Sequence, residues 1–222
     1  MRLRLDPREG LVVTVPLRFD QSRVPALISA REDWIREKLS QHAAARAEID
    51  PGRQGRRPEQ VALPALGREW QIVYRDQSGT RLRFVDDGQR LSIGLPEGPA
   101  HEVDDRLARR LQRWLRQQAE VFLQQRVSEL SAACALPYRS VTIRNQRARW
   151  GSCSTAGDLS LNARLLFCPP TACDYVVVHE LVHTIHPNHS ADFWAEVGRV
   201  MPDFRSRMDV LGRVWLRLPD WV

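Results

Sequence analysis

His179 and His183 enclose a glutamate and two apolar residues in the string His179-Glu180-Leu181-Val182-His183, and a third histidine, His189, follows six residues later. On a helix, positions four apart lie one above the other on one face, so both imidazoles can be aimed at a single ion. Zinc accepts neutral imidazole readily, and a catalytic zinc keeps three protein ligands and an open position for water. Such an ion acidifies its water enough for attack near neutral pH, and a carboxylate beside it can take the proton. Glu180, next in the chain to a ligand, stands where that base has to be. His179, His183 and His189 are therefore the candidate metal ligands, and Glu180 is the candidate catalytic residue.

The five-residue pattern also arises by chance on exposed amphipathic helices. Here Val176, Val177, Val178, Leu181, Val182 and Ile185 surround it, so the helix is apolar nearly all round. A helix of that kind is buried, and polar groups on it need partners or a metal. Two histidines compete for the third place. His186 continues the same face, but a straight helix rises about 1.5 Å per residue, which would put it roughly 10 Å from His179. Pro187 also biases His186 out of helical conformation. The turn at Pro187-Asn188 returns His189 toward the pair, and Asn188 or Ser190 can cap a new helix from Ala191. Asp192 and Glu196 are weaker alternatives.

Several elements must hold this centre. Pro169-Pro170 suits the start of the metal-bearing helix, even though Val176–Val178 has poor helix propensity. Phe193, Trp194 and Val197 form the apolar side of the following helix, behind the imidazoles. Pro202 ends it, and 203–215 reads as a last helix with Met208, Leu211 and Trp215 inward. Upstream, 138–147 alternates as a strand, with Val141 and Ile143 on one side and Thr142 and Arg144 on the other. Leu159-Ser160-Leu161-Asn162 reads as a returning strand after a turn at Gly157-Asp158. Between them, Arg149-Trp150-Gly151-Ser152-Cys153 is either a cleft wall or a tight turn with a core tryptophan. Trp150, Gly151, Ser152 and Asn162 are the candidate substrate-binding residues, though Asn162 could equally bond the neighbouring backbone. Tyr175, Arg147 and Arg149 are candidates for stabilising an oxyanion.

The strings RARWGSCS, LSLNARLL, HELVH and NHSADFW together resemble the YgjP-like metallopeptidases, which are similar to the SprT-like and WLM small zincins. The resemblance runs over roughly 103–218 and is densest over 143–203. It implies a zinc-dependent peptidase or hydrolase with His179, His183 and His189 as ligands and Glu180 as base. It also implies a sheet edge over the metal cleft to which an extended peptide adds as a strand, reading main chain rather than sequence.

The N-terminal part is patterned differently. Residues 11–19 read as a strand, 24–48 as a helix with Trp34 and Ile35 in the core, and 49–64 as an exposed loop in which Arg53, Arg56 and Arg57 could touch phosphate. Strands follow at 69–75, 81–86 and 90–95, joined by hairpin turns at Asp76–Gly79 and Asp87-Gly88, so that a small antiparallel sheet forms with the first strand. Pro96–Pro99 marks a soft boundary between residues 1–98 and 99–222, across which one core could still be shared. Residues 103–136 form a long amphipathic helix: Leu107, Leu111, Trp114, Leu115, Val121, Phe122 and Leu130 face the core, with Arg109, Arg110, Arg113, Arg116 and Arg126 opposite. With the resemblance, these elements imply an α+β fold, in which a zincin-like core follows a β-rich N-terminal region with one helix.

The 222 residues are enough for one large or two small domains. The net charge is +6, and of 33 basic residues only Lys38 is lysine. That bias fits genome composition better than recognition, but a nucleic-acid partner on an arginine-rich surface stays open. The N-terminal string MRLRLDPREG has no continuous apolar stretch of the secretory kind, and no apolar run approaches the roughly 18 residues of a membrane span. Cys134, Cys153, Cys168 and Cys173 include no close pair and read as free thiols. The expectation is a cytoplasmic zinc metallopeptidase acting on protein or peptide. The rivals are a nucleic-acid-associated protein with structural zinc and a zinc hydrolase of a non-peptide amide.

Overall fold

The computed structural model describes residues 2–6, 10–47 and 56–222. They group into two units, Met1–Ile49 and Asp50–Val222. In the first, β1 (Arg2–Asp6) and β2 (Gly10–Thr14) pair antiparallel as a sheet of their own. The expected strand through Phe19 ends at Thr14, before Pro16, which has no amide proton for a ladder. The expected helix divides into α1 (Val24–Ser29) and α2 (Glu32–Ala47) at Ala30-Arg31, and Trp34 and Ile35 are half-buried.

The second unit holds all the chemistry-bearing residues. Its first sheet contains β3 (Gln60–Leu63), β4 (Arg68–Asp76), β5 (Arg83–Asp86) and β6 (Arg90–Leu95) in the order β3-β4-β6-β5. Two expectations are corrected here. The loop reading of 49–64 missed β3, and part of that loop, with Arg53, lies outside the described residues. The Asp76–Gly79 connection is no hairpin: β6 inserts beside β4 and pairs with it parallel. Burial explains the order. Trp70, Ile72, Leu91 and Ile93 are all buried, so β4 and β6 take the centre, while the exposed β5 takes the rim. The Asp87-Gly88 turn does join an antiparallel pair, β5 with β6.

Across Pro96–Pro99 runs α3 (Ala100–Cys134). The core is shared across this connection. Trp70 of β4 and Trp114 of α3 meet edge to face with centroids 5.1 Å apart. Both indoles donate to the Asp86 carboxylate, at 3.0 and 2.8 Å. The apolar stripe of α3 passes through Leu107, Leu111, Trp114, Leu115, Leu123 and Val127; Val121, expected in it, is 75% exposed. The opposite arginine face is largely engaged within the chain. Arg110 lies over the Phe84 ring, Arg116 pairs with Glu120, and Arg126 grips Asp174 through two 2.7 Å bonds. Arg56 and Arg57 likewise pair with Asp105 and Asp104 of α3.

The second sheet contains β7 (Ser140–Arg144), β8 (Gly151–Cys153) and β9 (Asp158–Asn162) in the order β7-β9-β8. The β7 alternation is as expected, with Ile143 buried and Thr142 and Arg144 exposed. β8 pairs antiparallel with β9 and has no second strand among the described residues. Asp158 ties this sheet together. It accepts from Arg139 Nε at 2.6 Å, Ser140 Oγ at 2.7 Å and Ser154 Oγ at 3.2 Å, while Gly157 turns the chain with φ of +79°. These bonds to the charged form hold the carboxyl down at about 2. An acid with a depressed folded-state value stabilises the fold above its unfolded-state value of about 3.9 and loses that contribution as pH falls toward 2. Urea unfolding should therefore show wild type more stable than Asp158→Asn at neutral pH, with the difference closing between about pH 4 and 2. A difference that does not vary with pH would contradict this.

Three helices complete the unit: α4 (Pro170–Val182), α5 (Ala191–Val200) and α6 (Phe204–Leu216). Pro170 opens α4, Ser190 caps α5 by accepting from Phe193 N, and Met201 ends it before Pro202. α4 packs on α3, β8, α5 and α6.

Candidate metal centre

Tertiary packing overrides propensity in α4. Val176, Val177 and Val178 are 0–3% exposed, so the valine run is helical because every side of it is covered. The Arg126–Asp174 grip fixes this helix to α3. It delivers His179 to the last turn and His183 to the position just after it, still in helical conformation. The chain then turns through Pro187-Asn188, and the Ser190 cap starts α5 so that His189 faces back.

The three imidazoles converge. Their centroids lie 4.9 Å apart for His179–His183, 5.0 Å for His179–His189 and 4.7 Å for His183–His189. One nitrogen from each falls in a group no more than 4.8 Å across. Phe193, fully buried on α5, touches all three rings with centroids 4.5 to 4.9 Å away, and Trp194 stacks on His189. His186 serves differently: its carbonyl oxygen lies 3.0 Å from His183 Nδ1. A carbonyl can only accept, so the proton sits on Nδ1 and the lone pair of His183 is on Nε2. The Tyr175 hydroxyl lies 3.4 Å from Nδ1 of His179, while Nε2 of His179 and Nε2 of His189 face each other at 3.0 Å.

Burial pushes His179 down to about 3, with His183 and His189 adding to it, and burial lowers His183 as well. Neutral rings are what a metal requires, and the Nε2 atoms of His179 and His189 already stand close together. A tetrahedral ion with bonds of about 2 Å sets its ligand nitrogens about 3.4 Å apart, inside the spread seen here. The donor set fits a zinc-type ion. Glu196, the weaker alternative, is engaged by Arg199 at 2.7 Å, and neither it nor Asp192 belongs to the cluster.

Glu180 is 6% exposed, and burial pushes its carboxyl up to about 7 against the opposing charge of Arg149. The strand over it is β8. Gly151 lies so close that a Cβ there would sit 2.7 Å from Glu180 Oε1. Trp150 and Gly151 line a cavity of about 220 Å³ with His179 and Glu180. Ser152 points to the opposite face of the sheet, toward Arg144, Arg147 and Arg149. Asn162 lies outside the cavity. It is fully buried, donates to the Gln146 and Arg149 carbonyls at 2.8 Å each and accepts from Arg164 N, so it holds the loop leading into β8. Burial, with help from Glu180, pushes the Cys153 thiol up to about 11, which makes it a poor nucleophile.

Gly151 was read as a candidate substrate-binding residue, but its close approach to Glu180 was not read from the sequence, nor was the grip of Arg126 on Asp174. One depends on how closely two backbones approach, the other on a partner far along the chain. Tyr175 was read only as an oxyanion candidate; here its hydroxyl is turned toward His179.

A family model described as YgjP-like, metallopeptidase domain, matches residues 1–213. It extends well upstream of the 103–218 span that carried the resemblance. No curated protein matches the sequence. Among solved structures, the metallopeptidase zymogen of Pyrococcus abyssi, abylysin, is 23% identical over 43% of this chain and 93% of that one, with a TM-score of 0.38. A likeness that low carries no argument.

Proposed function

This chain belongs to the YgjP-like metallopeptidase domain family, and from that premise we propose that it is a zinc peptidase hydrolysing protein or peptide chains with Glu180 as its base. The convergence of His179, His183 and His189 beside a buried carboxylate supports this most strongly. The three imidazoles would hold the ion, His183 through Nε2. When bound, zinc supplies a Lewis acid that polarises the scissile carbonyl and makes water a better nucleophile.

The chain's own groups do the rest. Glu180 takes a proton from the attacking water on a carboxylate oxygen and returns it to the departing amine. The free edge of β8 offers its main chain to an extended substrate, which aligns the scissile bond without demanding a particular sequence. Of the oxyanion candidates, Tyr175 lines the same cavity as His179 and Glu180, whereas Arg149 lies on the other face of the sheet. The four cysteines are unpaired, which suits the reducing cytoplasm in which this reading places the protein. No helix among the described residues is long and apolar enough to cross a membrane.

Purified protein should contain one zinc per chain and cleave an unfolded protein. A chelator should abolish cleavage, and added zinc should restore it. His189→Ala should bind zinc more weakly while His186→Ala keeps it. Cleavage that persists in the metal-free protein would overturn the reading.

A further inference from the structure

We propose that the apolar cavity beside Glu180 is the subsite for a substrate side chain next to the scissile bond, and that it selects medium-sized apolar side chains such as leucine, methionine or phenylalanine. This rests on the peptidase reading above.

The cavity shares His179 and Glu180 with the reacting centre, so a side chain inside it belongs to a residue adjoining the bond under attack. Its other walls are apolar: Trp150 from the lead into β8, Tyr175 and Val176 from α4, and Met208 and Leu211 from α6. Its volume of about 220 Å³ is below the roughly 300–1,000 Å³ of pockets for drug-sized ligands, so it suits one side chain. Apart from Glu180 it offers no charge, and that carboxylate is needed for the proton. A charged side chain would lose its hydration there with no counter-ion in exchange.

Two walls are held in place. Trp150 is braced edge to face against Trp215, centroids 4.7 Å apart, and Tyr175 stacks on Phe204. The α6 side is softer. Leu211 is 7% exposed and lies deep, whereas Met208 is 42% exposed at the mouth, and a thioether chain adapts to what it meets. β8 supplies the geometry. Along an extended substrate on its edge, alternate side chains point to the same face, and Gly151 faces Glu180 of α4. A substrate residue on that side enters the cavity, and its neighbours on either side do not.

The test is a set of peptides differing only in the residue on each side of the cleaved bond. With leucine or phenylalanine in the selected position, kcat/KM should exceed that with aspartate by about 10²-fold. Met208→Glu, a change at an exposed position, should raise the lysine-to-leucine ratio of kcat/KM at least about 10-fold, and Leu211→Ala should move the preference from leucine toward phenylalanine. Glu180→Gln protein gives an independent readout: in titration calorimetry, leucine peptides should bind at lower concentration than aspartate peptides. If wild type cleaves but discriminates at neither position, and both α6 variants keep its ratios, the subsite is wrong and the peptidase reading stands. If zinc-loaded wild type cleaves no peptide, both fall.

Discussion

Glu180→Gln should lower kcat/KM for peptide hydrolysis by between about 10² and 10⁴-fold and leave the zinc content unchanged. The glutamine has the same shape but cannot hold the proton that the attacking water gives up. Metal is retained because the cluster of three imidazoles does not include residue 180. Stability separates this from a folding defect. Burial drives the Glu180 carboxyl up to about 7, so in metal-free protein the charged form is disfavoured by the fold. For an acid raised in this way, the penalty grows as pH rises from the unfolded value of about 4.3 through 7 and persists above it. A neutral amide escapes that penalty, so metal-free Glu180→Gln should have a Tm at neutral pH no lower than wild type. Full activity in the variant would remove Glu180 from the mechanism. Lost activity with a much lower Tm would point to a structural role instead.

Gly151→Ala should damage activity although residue 151 belongs to neither the imidazole cluster nor the base. The new Cβ would lie 2.7 Å from Oε1, 2.8 Å from Cγ and 2.9 Å from Cδ of Glu180, distances that carbon atoms do not tolerate. The carboxylate or the strand has to move. Misplacing a reacting group by about 1 Å costs about 10²-fold in rate, and a loss of that order in kcat is expected, with zinc still bound. Gly212→Ala is the comparison: a Cβ at Gly212 meets nothing within 4 Å, and alanine favours the helix it sits in. Gly151→Ala at wild-type rate would mean that β8 does not position the carboxylate.

How much of this was legible beforehand depended on the range of the interactions. The candidate ligands are local: residues 179–189 carry all three imidazoles that converge, and helical spacing, Pro187 and the Ser190 cap bring His189 rather than His186 to the pair. β7, β9 and the last two helices followed from alternation, apolar spacing and breaker residues, and α4 from the i, i+4 spacing of its histidines, read against the strand-like valine run. What failed was pairing at a distance. That β6 would insert beside β4 depends on which strands are buried on both faces, and single-strand patterning does not reveal it. β3 was hidden behind a stretch rich in proline and arginine. Val121 is apolar at nearly helical spacing yet outside, because a 35-residue helix drifts relative to a fixed stripe. Asn162 sits in a string that looked fit to touch substrate, but its three backbone partners make it a structural support. The arginines of α3 could not be sorted from sequence, since Phe84 and Asp174 reach two of them from elsewhere in the fold.

The candidate ligands come from one short run, whereas the strand that crowds Glu180 arrives from upstream through a three-stranded sheet. Gathering the imidazoles and seating the carboxylate therefore depend on different parts of the fold, so a change in the sheet can disturb the second while sparing the first.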